Sequence, residues 1–157
     1  MQDAPDPDQL LAAVVRYLRD DAGPALARAG GGALAYQARV AANMLDIVRR
    51  QQRLDPAAAS EERVRLRHLL GAGVDGVDGV NGDTGPAELA RLNQRLADRI
   101  ASGEIDLASP GLADHLWRTT LAKLAVDQPT YETYRRHLAA CPEFGEPTNP
   151  ANPAHPV

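Results

Sequence analysis

From Leu34 to Leu54 the chain reads LAYQARVAANMLDIVRRQQRL, its longest run of helical periodicity without a glycine or proline. At roughly 100° per residue, Leu34, Ala38, Ala41, Leu45 and Val48 fall on one side of a helical wheel. Tyr36, Val40, Met44, Ile47 and Leu54 widen that side to an arc of about 200°, against the roughly 100° stripe of a helix lying on a surface. A helix of this kind needs neighbours on at least two sides. The remaining arc holds Arg39, Asn43, Asp46, Arg50 and Arg53, with Arg39/Asn43 and Asp46/Arg50 each one turn apart. The pattern predicts the central helix of a bundle, carrying one polar seam.

The rest of the chain is compatible with that frame. Aromatic residues make up only 4% of its 157 residues, so the core must be built from Leu, Val and Ala, which suits close helix packing. The expected fold is all-α, a single-domain bundle of five to six helices over residues 1–141, followed by a proline-rich tail over 142–157. Asp6-Pro7 predicts the first start, an acidic cap followed by a proline whose missing N–H costs nothing there. Leu10, Leu11, Val14, Val15 and Leu18 follow, Gly23-Pro24 predicts the stop, and Gly30-Gly31-Gly32 a flexible joint. Asp55-Pro56 repeats the cap-then-proline signal and predicts a third helix to Leu70, folded back on the central one as an antiparallel hairpin.

Pro86 predicts a fourth helix with a narrow stripe of Leu89, Leu92, Leu96 and Ile100, ended by Gly103. Ser109-Pro110 predicts a fifth, whose Leu112, Leu116, Trp117, Leu121 and Leu124 should pack on the central helix. The last begins near Pro129, carries Tyr131, Tyr134 and Leu138, and stops at Cys141-Pro142. From Pro142 onward, five prolines and no periodicity predict a disordered tail.

Several function classes are disfavoured by composition. A net charge of −4 supplies no basic field for nucleic acid. No apolar run approaches the roughly 18–20 residues of a membrane span, and the N-terminus MQDAPDPDQ is acidic where a signal peptide is basic, so a cytoplasmic location is expected. Cys141 is alone, which excludes an intrachain disulfide and a cysteine zinc cluster. The low-complexity segment 71–85, GAGVDGVDGVNGDTG, spaces its Asp and Asn residues by three, where an EF-hand needs alternate ligands and a closing Glu. It is read as a flexible surface loop, and no metal is expected.

The search for catalytic chemistry is equally negative. There is no Glu-x-x-His pair for a di-metal carboxylate site, no Gly-x-Ser-x-Gly elbow and no phosphate loop. His115 stands beside Asp114, but adjacent helix positions point about 100° apart, so the two do not form a base and its orienter. Arg49, Arg50 and Arg53 with Arg63, Arg65 and Arg67 would converge in a helical hairpin. The acids among them, Asp46, Asp55, Glu61 and Glu62, favour a solvated mixed-charge face over an anion site. No catalytic residue and no cofactor are expected. If the chain does bind a small molecule, the polar seam is the place: Arg39, Asn43 and Arg50, with His115, would hold an anionic acyl or nucleotide ligand. Asn43 alone is more simply a hydrogen-bonded interior amide.

The segments LLAAVVRYLRDD, AYQARVAANMLDIVRRQ, ELARLNQRLADRIASGEID and LADHLWRTTLAKLAVDQP together resemble a bacterial helical domain family of unknown function. Members of that family are met beside, or fused to, aminoglycoside-phosphotransferase-like kinases and acyl-CoA dehydrogenases. The resemblance spans roughly residues 10–129 and assigns no roles to Arg39, Asn43, Leu92 or Asn93, which match it. It implies an accessory or interaction protein rather than an enzyme, with a kinase-like or acyl-CoA-metabolising protein partner. A homodimer through the fourth or sixth helix is the third expectation.

Overall fold

The computed structural model describes residues 5–71 and 85–141, and the expectations for the loop 71–85 and the tail fall almost wholly outside them. Among the described residues the chain is all-α, with no strand. Its α-helices are α1 (Pro7–Arg16), α2 (Gly23–Arg28), α3 (Gly32–Leu70), α4 (Pro86–Ala101), α5 (Leu112–Asp127) and α6 (Glu132–Ala140); a π-helical turn, Tyr17–Ala22, joins α1 to α2. None of these helices is long and apolar enough to cross a membrane. The chain divides into two compact units, Met1–Asp55 and Pro56–Val157.

In the first unit α1 opens on a reciprocal cap. The Gln9 N–H donates to Asp6 Oδ1 at 2.9 Å, and the Asp6 N–H donates to Gln9 Oε1 at 3.2 Å. Gly23-Pro24 does not stop the helix as expected. The N–H of Gly23 reaches back five residues to the Leu18 carbonyl, widening the turn just ahead of the proline. A wide turn relieves the clash between the proline ring and the preceding carbonyls, so helix resumes in α2. Only glycine fits at position 23: a Cβ there would lie 2.9 Å from the Leu18 carbonyl oxygen.

The glycine triplet is not a loose joint either. Gly30 takes a φ of 81°, its N–H donates to the Ala27 carbonyl, and the Gly31 N–H donates to that of Leu26. Crossed bonds of this kind satisfy the last carbonyls of α2 and reverse the chain. Gly32 then begins α3. The returning helix buries Ala35, Ala38 and Ala42, three small side chains on one face, and α1 buries Val15. Small residues let helix backbones approach closely. Leu34, Tyr36, Met44 and Val48, counted among the apolar arc, are instead exposed.

A second correction concerns Pro56, which lies inside α3 and does not open a new helix. The hairpin expected after Leu54 is therefore absent. A proline in a helix interior removes one backbone hydrogen bond and costs about 3 kcal/mol. The flanking residues oppose that cost: Ala57, Ala58 and Ala59 are the strongest helix formers, and no glycine offers the chain an exit. Pro56 nonetheless marks where the two compact units divide.

In the second unit, Leu66 and Leu70 of α3 meet Leu92 and Leu96 of α4, with Ile105 and Leu112, to form the core; Leu69 and Leu89 pack at its margin. Leu66 and Leu112 are the largest fully buried apolar side chains. Arg99 of α4 donates to the Leu70 carbonyl at 3.1 Å, placing a cation at the end of α3 where the helix dipole favours one. The α4 helix closes at Gly103 with the same crossed bonds, Gly103 N–H to Ile100 and Glu104 N–H to Arg99. Asp106 and Ser109 then form a hydrogen-bonded turn, so α5 starts at Leu112 rather than at Ser109-Pro110. Its buried residues are Leu112, His115, Leu121 and Val126, whereas Leu116 and Trp117 stand exposed.

Candidate functional site

Because α3 is continuous, Arg39, Asn43 and Arg50 share one side of it, as their spacing of four and seven residues requires. Arg39 and Asn43 are exposed and Arg50 is half-buried. Asn43 is not an interior amide. Its Oδ1 accepts from Arg19 Nη2 at 2.9 Å, and the same nitrogen lies 2.7 Å from Asp46 Oδ2. Arg19 comes from the π-helical turn, so no helical spacing in the sequence could have paired it with the seam.

One turn further along, Arg49 makes a two-pronged bond to Asp8 at 2.8 and 3.1 Å and a third bond to Asp46 at 3.2 Å. Fork-to-carboxylate geometry is the strong form of this pair. The Arg49 hydrogen bond holds the Asp8 carboxyl below its ordinary value, and the Asp8 hydrogen bond raises Arg49 in turn. Asp8, Arg19, Asp46 and Arg49 thus fasten α1 and the π-helical turn to α3.

His115 lies in the second unit and is 2% exposed. Burial lowers its pKa below the ordinary value, with the positive charge of Arg65 acting in the same direction and Glu62 and Asp114 opposing it. Its Nδ1 has no hydrogen-bond partner, and neither has the buried Thr119 Oγ1 one turn along α5, nor the buried Nε of Arg65. Glu62 is held by Asn93, whose Nδ2 donates to Glu62 Oε1 at 2.8 Å and to the Leu89 carbonyl at 3.2 Å. Asp114 turns to Arg118, accepting at 2.8 and 2.9 Å. Asp114 and His115 therefore serve different sides of α5, as the helical angle between neighbours requires.

Burial and the Arg65 charge both disfavour the protonated form of this interior imidazole, whose ring is packed away from bulk solvent. Sequence reasoning missed Arg65 and Thr119 as its companions, although Glu62/Arg65 and His115/Thr119 stand at helical contact spacing. The arginine cluster expected around Arg65 depends on the hairpin after Leu54. With α3 continuous, that premise goes. Arg67 instead pairs with Glu88, and Arg65 lies 3.7 Å from Glu61. Among the described residues, no group of three or more His, Cys, Asp or Glu side chains is arranged to hold a metal.

The surface of the second unit offers a different kind of feature. Trp117, the chain's single tryptophan, is 45% exposed on α5, with the exposed Leu116 beside it. The His137 ring of α6 meets it edge to face, with centroids 5.1 Å apart at 90°. That contact fixes the indole while leaving much of it open.

Residues 28–131 match the model of a family described as a domain of unknown function, DUF6285. The chain belongs to this family. The match takes in all of α3, α4 and α5, hence the polar seam, the interior His115 and Trp117. No curated protein and no solved structure matches the chain.

Proposed function

We propose that this member of DUF6285 is a non-catalytic helical accessory protein that docks onto an enzyme in the cytoplasm. The observation that carries this reading is Trp117, half open on α5 and held by His137. Indoles that are rigid before binding lose little freedom on docking and dominate interface energetics. The polar clusters argue in the same direction. His115 is sealed, and Asn43 and Asp46 of the seam are engaged by Arg19. From the resemblance of the sequence to domains met beside aminoglycoside-phosphotransferase-like kinases and acyl-CoA dehydrogenases, the partner is an enzyme of one of those two kinds.

The test is capture of partners from native lysate with the tagged protein and with its Trp117→Ala variant. Recovery of a kinase or acyl-CoA dehydrogenase by the parent chain, lost in the variant, supports the reading. Recovery of neither enzyme by the parent chain refutes it.

A further inference from the structure

Two helices packed together bury one seam between them and leave any second apolar stripe open. The first unit has two such stripes. Leu10 and Val14 of α1 and Tyr17, the first residue of the π-helical turn, are exposed beside the seam residue Val15; on α3, Leu34, Met44 and Val48 are exposed beside the Ala35, Ala38 and Ala42 seam. Tyr17 is 58% and Met44 62% exposed.

The two stripes lie on the same side. At about 100° per residue, each is turned from its own seam by roughly 100–135° in the same rotational sense. The bonds Arg49 to Asp8 and Arg19 to Asn43 pair the start of α1 with the later part of α3 and the π-helical turn with an earlier part, so the helices run antiparallel. Equal rotation on antiparallel helices brings both stripes to one face of the layer. Along α3 the other positions of that face are Gln37, Ala41, Gln51 and Gln52, none of them charged, until Asp55 at the far end of the unit.

We propose that this face is closed by the same face of a second copy of the chain, giving a four-helix bundle about a twofold axis. From Leu34 to Gln52 the α3 stripe is uncharged, which favours this occupant: an acidic or basic partner finds no ion pair along that length, and a second copy meets it with the same uncharged side chains. The area agrees. From their fractional exposure the six residues open about 600 Å² per chain, the upper end of the apolar patch on an ordinary monomer. Doubled across a twofold axis, that reaches about 1,200 Å², where specific interfaces begin. The inference is independent of the docking role of Trp117, which lies in the other unit.

Sedimentation velocity and light scattering on the full chain, from low micromolar to high micromolar concentration, test it. The expected result is a reversible species of twice 16.8 kDa. The double variant Val14→Glu/Met44→Glu should weaken it by about a hundredfold, since each copy would bury unpaired carboxylates. Leu107→Glu, at a 76% exposed position of the second unit, should leave it unchanged. Should circular dichroism show lost helicity in the double variant, Gln37→Lys/Gln51→Lys applies the same test at two exposed positions. A monomeric mass throughout overturns the proposal, and so does a dimer that folded variants of this face do not weaken.

Discussion

Gly23→Ala and Gly32→Ala are the same chemical change, and the structure assigns them opposite signs. In an ordinary helix interior alanine is more favourable than glycine by about 1 kcal/mol. At position 23 the added Cβ would stand 2.9 Å from the Leu18 carbonyl oxygen, a backbone atom that cannot swing aside. Relief requires the π-helical turn to open or re-register. That forfeits the Gly23 to Leu18 hydrogen bond, about 1 kcal/mol net, and adds strain of about 1–3 kcal/mol. Set against the propensity gain, the result is a loss of about 1–3 kcal/mol. At position 32 a Cβ meets nothing within 4 Å, and restriction of the unfolded chain stabilises by about 0.4–1 kcal/mol. For a chain of this size 1 kcal/mol moves the melting temperature by about 2–4 °C, so the two variants should separate by about 3–16 °C. Thermal and urea unfolding monitored by circular dichroism read the difference. If Gly23→Ala is as stabilising as Gly32→Ala, the π-helical turn is not the reason for glycine at that position.

Other perturbations have equally definite outcomes. Leu66→Ala, at a position with no exposed surface in the second-unit core, should cost about 3 kcal/mol in urea unfolding. Asp6→Ala removes the side-chain half of the α1 cap and should cost about 1 kcal/mol. His115 has a folded pKa below its ordinary 6.5, so the unfolded chain binds the proton first as pH falls. Its contribution to stability is complete above about pH 6.5 and declines through mildly acidic pH. Parallel denaturation series for the parent chain and His115→Leu should show a shallower acid decline in the variant; identical slopes would refute an interior imidazole.

Much of this architecture is legible in the residues. The Asp6-Pro7 cap, the Pro86 start, the Gly103 stop and the Leu92/Leu96 stripe depend on local chemistry, and local chemistry is what a sequence displays. The misreadings share a cause. Gly23-Pro24 and Asp55-Pro56 are strong breakers taken alone, but each is overruled by its surroundings: a widened turn at Leu18 in one case, a flanking alanine run in the other. The apolar arc expected on α3 is misplaced: Ala35 and Ala42 of the buried seam lie outside it, because hydropathy ranks such small side chains below Leu34, Met44 and Val48, which face outward. For the candidate site, one side of α3 followed from spacing, but the partners did not. Arg19 reaches Asn43 across 24 positions of sequence, and His115 reads as polar until its burial is known.

If this protein acts through a partner enzyme, that enzyme's own activity or thermal stability responds to it. The phosphotransferase-like kinase or acyl-CoA dehydrogenase recovered by capture would be assayed alone, with an equimolar amount of the parent chain, and with Trp117→Ala. The expected result is a change that saturates at a fixed stoichiometry with the parent chain and is lost with the variant. An enzyme whose rate and melting temperature are the same in all three mixtures would contradict it.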